Sequence, residues 1–406
     1  MISSFPPNWK VQTLGTLGKF SKGKGIAKSD LVEQGIPCVL YGELYTTHNT
    51  VIKRLRSCIN RQTAVSSQRV FQNDILFAGS GETPEEIGKA AVFLGTDEVY
   101  VGGDIIIFSP TGCDSRFLAY LLNSYIVQRQ TYSMAQGYSV VHIYSYHLSS
   151  LHIPLPPLPE QKKIAEILST WDEAIEKLDQ LIEKKKLLKK GLMKQLLTGK
   201  KRFPGFVEEW KEVRLGDVVY LRHGYQFRNF DFTESGIPII KIGNVVGPNL
   251  DLSDVSYIAT DRLAEFSSIV LRDGDILMSL TGNIGRVVQV SGLTQPVLQN
   301  YRVGHFSPTD DRILKPYLKF LLESDEVLNQ ISSLSNQSAQ ANFGKQDMDK
   351  IVVRLPSIAE QRKVAELLSC CDTETTLLNL KRTIQSDQKK GLMQELLTGK
   401  IRVKST

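Results

Sequence analysis

The sequence predicts an α+β chain: two related globular domains, each followed by one long α-helix. Three observations carry that prediction. The segment Glu160-Gln161-x-Lys163-x-Ala165-Glu166-x-Leu168-Ser169 returns as Glu360-Gln361-x-Lys363-x-Ala365-Glu366-x-Leu368-Ser369. Further along, Lys189 to Met193 and Leu196 to Lys200 return as Lys389 to Met393 and Leu396 to Lys400, at the same offset of 200. Looser matches surround these helices: Trp9-Lys10 with Trp210-Lys211, Gly35-Ile36-Pro37 with Gly236-Ile237-Pro238, and Asp74-Ile75-Leu76 with Asp275-Ile276-Leu277. A period this long marks a duplicated domain, because solenoid repeats run roughly 20 to 50 residues.

The elements follow in order. In the first domain Val39-Leu40-Tyr41, Asp74 to Phe77, Ala90 to Phe93 and Asp104 to Phe108 read as short strands, β-branched or aromatic and bounded by Gly, Asn and Asp. Phe117 to Leu122 reads as a helix, with its equivalent at Tyr317 to Leu322. Strands, a helix, a polar loop and a last strand make an α+β domain. Pro154, Pro156, Pro157 and Pro159 then stop the strand and launch a helix, since proline fits a helix's first turn but not its interior. The boundaries are 1–158 for the first domain, 159–202 for its helix, 203–356 for the second domain, and 357–406 for the second helix and tail.

Apolar residues at Ile164, Leu168, Trp171, Ile175, Leu178 and Ile182 alternate four and three apart, which is a heptad seam. The second copy keeps Val364, Leu368 and Leu378 but places Cys371 and Thr375 between them. A solitary helix of roughly 38 residues, about 57 Å long, has nothing against which to bury such a seam. The other copy is the natural partner. The two copies keep equal length while their middles drift, Trp171 standing against Cys371 and Leu187-Leu188 against Asp387-Gln388. That combination suits a spacer whose dimension matters.

Composition narrows the function. Ile2 to Pro7 offers neither a basic start nor an apolar core, so it is not a signal peptide. No apolar run approaches the roughly 20 residues of a membrane helix. Five cysteines without C-x-x-C spacing point to free thiols in a reducing cytoplasm, not to a disulfide framework or zinc site. Residues 159–202 hold 12 Lys and Arg against 7 Asp and Glu, and residues 359–406 hold 9 against 6. With a whole-chain charge of +6, the helices are basic and the two domains together slightly acidic. A basic face is the usual sign of a DNA-binding domain. Any such stripe here sits inside a neutral total.

Two near-identical helices alternating with two divergent α+β domains resemble the specificity subunit of Type I DNA restriction-modification systems. The resemblance spans essentially the whole chain. It is carried by Leu155-Pro156-Pro157-Leu158-Pro159-Glu160-Gln161 before the helix, and by Gly191-Leu192-Met193 with Leu196-Leu197-Thr198-Gly199-Lys200 at its end. Within the domains Gly35-Ile36-Pro37, Asn73 to Leu76 and Gly88-Lys89 match the scaffold of that family's target-recognition domains. The second copy departs at Leu355-Pro356-Ser357-Ile358-Ala359, where prolines are fewer. The resemblance implies a non-catalytic subunit in which each domain reads one half of a split double-stranded DNA target. It also implies that the helices pair as an antiparallel coiled coil, fix the gap between the halves and dock two modification subunits. No cofactor is expected in this chain. S-adenosylmethionine would belong to the modification (methyltransferase) subunits, and ATP and Mg to the restriction (motor-nuclease) subunits. The rival reading is a DNA methyltransferase or fused restriction enzyme with its own activity.

Several motifs look catalytic and are not. Phe77-Ala78-Gly79-Ser80-Gly81 has the form of a methyltransferase cofactor loop, but no Asn/Asp-Pro-Pro-aromatic motif follows it. Gly18-x4-Gly23-Lys24 approaches a phosphate-binding loop, yet Gly25 occupies the place of the magnesium-binding Ser or Thr. His142, His147 and His152 recur every five residues, whereas a metal-binding helix needs i, i+4. They read as surface or edge-strand residues.

Direct readout needs side chains with paired donors and acceptors on loops that reach the major groove. In the first domain the candidates are Lys22, Lys24, Ser80, Gln136, Tyr138 and Ser139. In the second they are Arg222, Tyr225, Gln226, Arg228, Thr281, Asn283, Gln337, Gln340 and Asn342.

Overall fold

The computed structural model describes residues 5–81, 87–134, 141–247, 250–335 and 342–404. The chain forms two compact units, one from residues 1–179 with 380–406, the other from residues 180–379. Each unit therefore holds one globular domain, the first half of the helix that follows it, and the second half of the other helix.

In the first unit a five-stranded sheet runs in the order Gly18–Lys22, Ile105–Pro110, Ile75–Ala78, Ala90–Phe93 and Val51–Ile52. Its middle strands read as unbroken apolar runs because both faces are covered. Alternation along each strand sends successive side chains to opposite faces. Ile75, Phe77, Ala90, Val92, Ile106 and Phe108 join a core with the helices. Leu76, Ala78, Ala91, Phe93, Ile105 and Ile107 join a second core. Across that second core lies a sheet in the order Leu31–Val32, Ser57–Ile59, Ile36–Val39, Val99–Val101 and Gln68–Val70. Lys10–Thr13 pairs antiparallel with His152–Leu155, bringing the start of the domain beside its end. The second unit repeats the plan with two four-stranded sheets: Ile276 and Met278 enter one core and Leu277 the other.

Two expectations change. The strand placed at Val39 to Tyr41 ends at Val39, and Tyr41 opens a short helix, Tyr41–Thr46. The cause is local: the Glu43 carboxylate accepts the Leu40 N–H at 2.9 Å, as a helix N-terminus requires. The expected helices are present as Ser115–Leu122 and Lys315–Leu322, but each is followed by another, Tyr125–Met134 and Asp325–Ser335.

The long helices span Leu158–Leu196 and Ile358–Leu397. Each ends in a left-handed glycine, Gly199 at φ 71° and Gly399 at φ 73°. Beyond them Lys201 N–H reaches back to the Gln195 carbonyl and Ile401 N–H to that of Glu395, the glycine-terminated helix stop. Within the first unit Asp172 meets Lys389 and Asp179 meets Arg382; within the second Lys185 meets Glu374 and Lys189 meets Asp372. Numbers rise along one helix as they fall along the other, so the paired halves are antiparallel in both units.

The sequences repeated between the helices are the ones that enter domain cores. Ile164, Ala165 and Leu168 share the first unit's core with Leu396 and Leu397, and Val364, Ala365 and Leu368 share the second unit's with Leu196 and Leu197. Gln161 Oε1 accepts the Asp114 N–H and its Nε2 donates to the Pro156 carbonyl; Gln361 does the same with Leu314 and Pro356. The buried Glu160 carboxylate takes a bidentate pair from Arg402, as Glu360 does from Arg202. The drifted middle is more open: Leu178 and Ile182 are buried, Trp171, Ile175 and Leu378 half-buried, and Leu187 and Leu188 exposed.

Candidate nucleic-acid interface

In the first domain the strand Gly18–Lys22 ends beside the turn that follows Ile75–Ala78. Gly23 has to be glycine, because a Cβ there would lie 2.0 Å from the Gly102 carbonyl oxygen. That close approach carries the exposed Lys22 and Lys24 to the rim. After Gly79 the chain pairs Ser80–Gly81 with Val141–His142. Ser80 is buried; its hydroxyl lies 3.0 Å from His142 Nδ1, and its carbonyl accepts the Tyr45 hydroxyl at 2.8 Å. Lys22, Ser80, Asp104, His142, Tyr144 and Tyr146 line one cleft of about 300 Å³. Tyr144 and Tyr146 are exposed and stack at 5.7 Å with planes 6° apart.

The structure thus brings Lys22 and Ser80 together, while Gln136, Tyr138 and Ser139 lie outside the described residues. It adds Tyr144 and Tyr146, which the sequence does not single out, and puts His142, expected only as a surface or edge-strand residue, at the same cleft. The available signal was the pair of tyrosines two apart beside a polar loop. The three spaced histidines sit on separate elements: His142 on a two-residue strand, His147 in a short helix and His152 in the domain's last strand. Among the described residues no group of His, Cys, Asp and Glu is arranged to hold a metal. The Gly18 to Lys24 segment is a strand that pairs with Ile105–Pro110, not a loop leading to a helix.

In the second domain Arg222 is held internally through two of its nitrogens, while Nη2 is shielded from solvent and meets no partner among the described residues. Its Nε donates to Gln299 Oε1 and its Nη1 to the Ser268 carbonyl, and burial pulls its pKa below the usual range. Tyr225 is exposed, with its ring edge-on to Phe227 and Phe266, each at 5.0 Å. Gln226 and Arg228 are exposed next to it. Thr281 bridges to Asn342, which is exposed, and Asn283 is exposed on the turn between them and the next strand. The Thr281 hydroxyl oxygen is shielded from solvent and meets no hydrogen-bond partner among the described residues. Gln337 and Gln340 lie outside the described residues.

No helix is long and apolar enough to cross a membrane among the described residues. Each domain presents polar and aromatic side chains on the turns at one set of strand ends.

Comparison with known proteins agrees with this geometry. A family model described as the Type I restriction modification DNA specificity domain matches twice, at residues 6–185 and 207–385. A Type I restriction enzyme specificity subunit from Methanocaldococcus jannaschii, MjaVIII, is 28% identical over 422 residues, covering 98% of this chain and 94% of that protein. The EcoKI specificity subunit of Escherichia coli K12 is 25% identical over 335 residues, covering 76% of this chain and 70% of that protein. The fold matches the crystal structure of a Type I restriction-modification S subunit from M. genitalium with a TM-score of 0.61, at 17% identity and over 97% and 96% of the two chains. The chain belongs to the Type I restriction-modification DNA specificity family.

Proposed function

We propose that the chain supplies sequence recognition without chemistry to a Type I complex. Each domain reads one half of a bipartite double-stranded DNA target. The antiparallel helices set the gap between the halves and dock two modification subunits, which carry S-adenosylmethionine and methylate adenine. Restriction subunits that use ATP and Mg join that core in the cytoplasm. The observation that carries the reading is the doubled architecture: two domains of one scaffold, each tied to the start of its own helix by the same Gln–backbone contacts, with each helix start joined to the segment past the other helix's end by the same Glu–Arg pair, yet divergent in their turn residues. Rigid, repeated supports under variable turns are what two readers of different sequences require. Partner subunits that grip the phosphates account for domains that are not themselves basic.

Purified alone, the chain should methylate nothing. Reconstituted with its modification partner, it should direct methylation to a single split sequence. Robust methylation by the isolated chain would refute the proposal.

A further inference from the structure

The two domains place different residue pairs at one and the same structural position. In the first, Ile143 N–H donates to the Gly79 carbonyl at 3.0 Å, and His142 pairs with Ser80 in the register beside it. In the second, Phe343 N–H donates to the Leu280 carbonyl at 2.9 Å, and Asn342 bridges Thr281 beside it. Ser80–His142 and Thr281–Asn342 therefore occupy equivalent bridges, each joining the turn after a central strand to a segment later in the chain than Tyr125–Met134 or Asp325–Ser335.

The chemistry at the two bridges differs. At Ser80–His142 the serine hydroxyl engages Nδ1, fixing the ring and leaving Nε2 as the ring's other polar atom at a cleft that also holds Lys22 and the stacked Tyr144 and Tyr146. The hydroxyl can donate to or accept from Nδ1, and whichever it does sets Nε2 as the complementary donor or acceptor. At Thr281–Asn342 the threonine hydroxyl has no partner among the described residues, while the Asn342 carboxamide is exposed. A buried hydroxyl left unpaired is rare in a folded domain and calls for a partner. A carboxamide offers the donor and acceptor pair that matches adenine, whereas a single imidazole nitrogen offers one contact. A position held by backbone pairing, with a changed polar pair on it, is where two readers built on one scaffold diverge in what they read.

We propose that this bridge is the specificity-determining position of each domain: His142, positioned by Ser80, reads a base of one half-site, and Asn342, beside Thr281, reads a base of the other. The inference rests on the reading of the chain as a DNA specificity subunit and names the residues that carry it.

The test uses the full chain with its modification partner on a random-sequence DNA library. The unaltered complex is mapped first; if it methylates no split motif, the underlying reading fails, whatever the bridge does. With the motif in hand, Asn342→Ala should relax discrimination at one base of one half-site by roughly ten- to hundredfold and leave the other half unchanged. His142→Asn should alter preference at one base of the opposite half by a similar factor. Asn342 is exposed and its bridge is made by the backbone, so its truncation leaves the fold in place and keeps the test open even if the His142 variant folds poorly. An unchanged motif with Asn342→Ala, or an equal loss on all sequences, overturns the inference while the family reading stands. Both substitutions acting on the same half-site would overturn it as well.

Discussion

Leu397 is the last residue of the second long helix, yet it is fully buried in the first unit's core, with Leu396, Ile164, Leu168 and Trp9. Leu397→Ala removes three buried carbons at about 0.8 kcal/mol each, and an unrelaxed cavity of about 50 Å³ adds about 1 kcal/mol, for a total of about 3.5 kcal/mol. The cost should fall on the first domain, more than 200 residues upstream, and not on the second domain, from which the helix starts. Hydrogen exchange read by mass spectrometry separates the two. Peptides covering Ile105–Pro110 and Ser115–Leu122 should open about 300-fold more readily, while those covering Val303–Pro308 and Lys315–Leu322 keep their protection. Leu187→Ala, at an exposed position, should move neither set by more than about 0.5 kcal/mol. Loss of protection confined to the second domain, or none at all, would refute the assignment of the helix ends to the opposite cores.

Other outcomes follow from the same contacts. Arg402→Ala strands the buried Glu160 carboxylate and should cost about 3–5 kcal/mol in chemical denaturation, whereas Arg382→Ala removes an exposed pair with Asp179 and should cost less than about 1 kcal/mol. Trp171→Ala, at a half-buried position, should cost about 1–3 kcal/mol and weaken assembly with the modification subunit, as thermal melting and gel filtration would show. Burial opposes ionisation of Asp275, but the His305 ring, the Arg272 N–H and the Lys315 charge bring its pKa down to about 2. A depressed carboxylate pKa contributes stability that is complete above its unfolded value near 4 and is lost as pH falls through about 2. Asp275→Asn should flatten acid unfolding in that window. Burial raises the Cys38 thiol to about 12, so alkylation of the native protein at pH 8 should spare Cys38 and modify the exposed Cys370.

The helices were legible because their signals are dense and doubled: the proline run and the Glu-Gln start place the beginning of the first helix within one residue of Leu158, and the glycine stop lies three residues past Leu196. The central strands were legible because burial on both faces makes them continuous apolar runs. Tyr125–Met134 was not, because it buries little beyond Val127 and Thr131 and so shows no apolar stripe. Heptad spacing alone could not say that Ile164 and Leu168 face a domain core while Trp171 and Ile175 lie only half-buried along the paired helices. The Ser80–His142 bridge joins residues 62 positions apart, and nothing local to either announces the other.

The most direct test of the central claim is a domain exchange. Residues 208–356 would be replaced by the second domain of another family member, the chimaera assembled with the native modification subunit, and methylated adenines mapped across a genome. If each domain reads its own half, one half of the motif should change while the other half and the gap between them stay the same. A motif altered in both halves, or in neither, would contradict it.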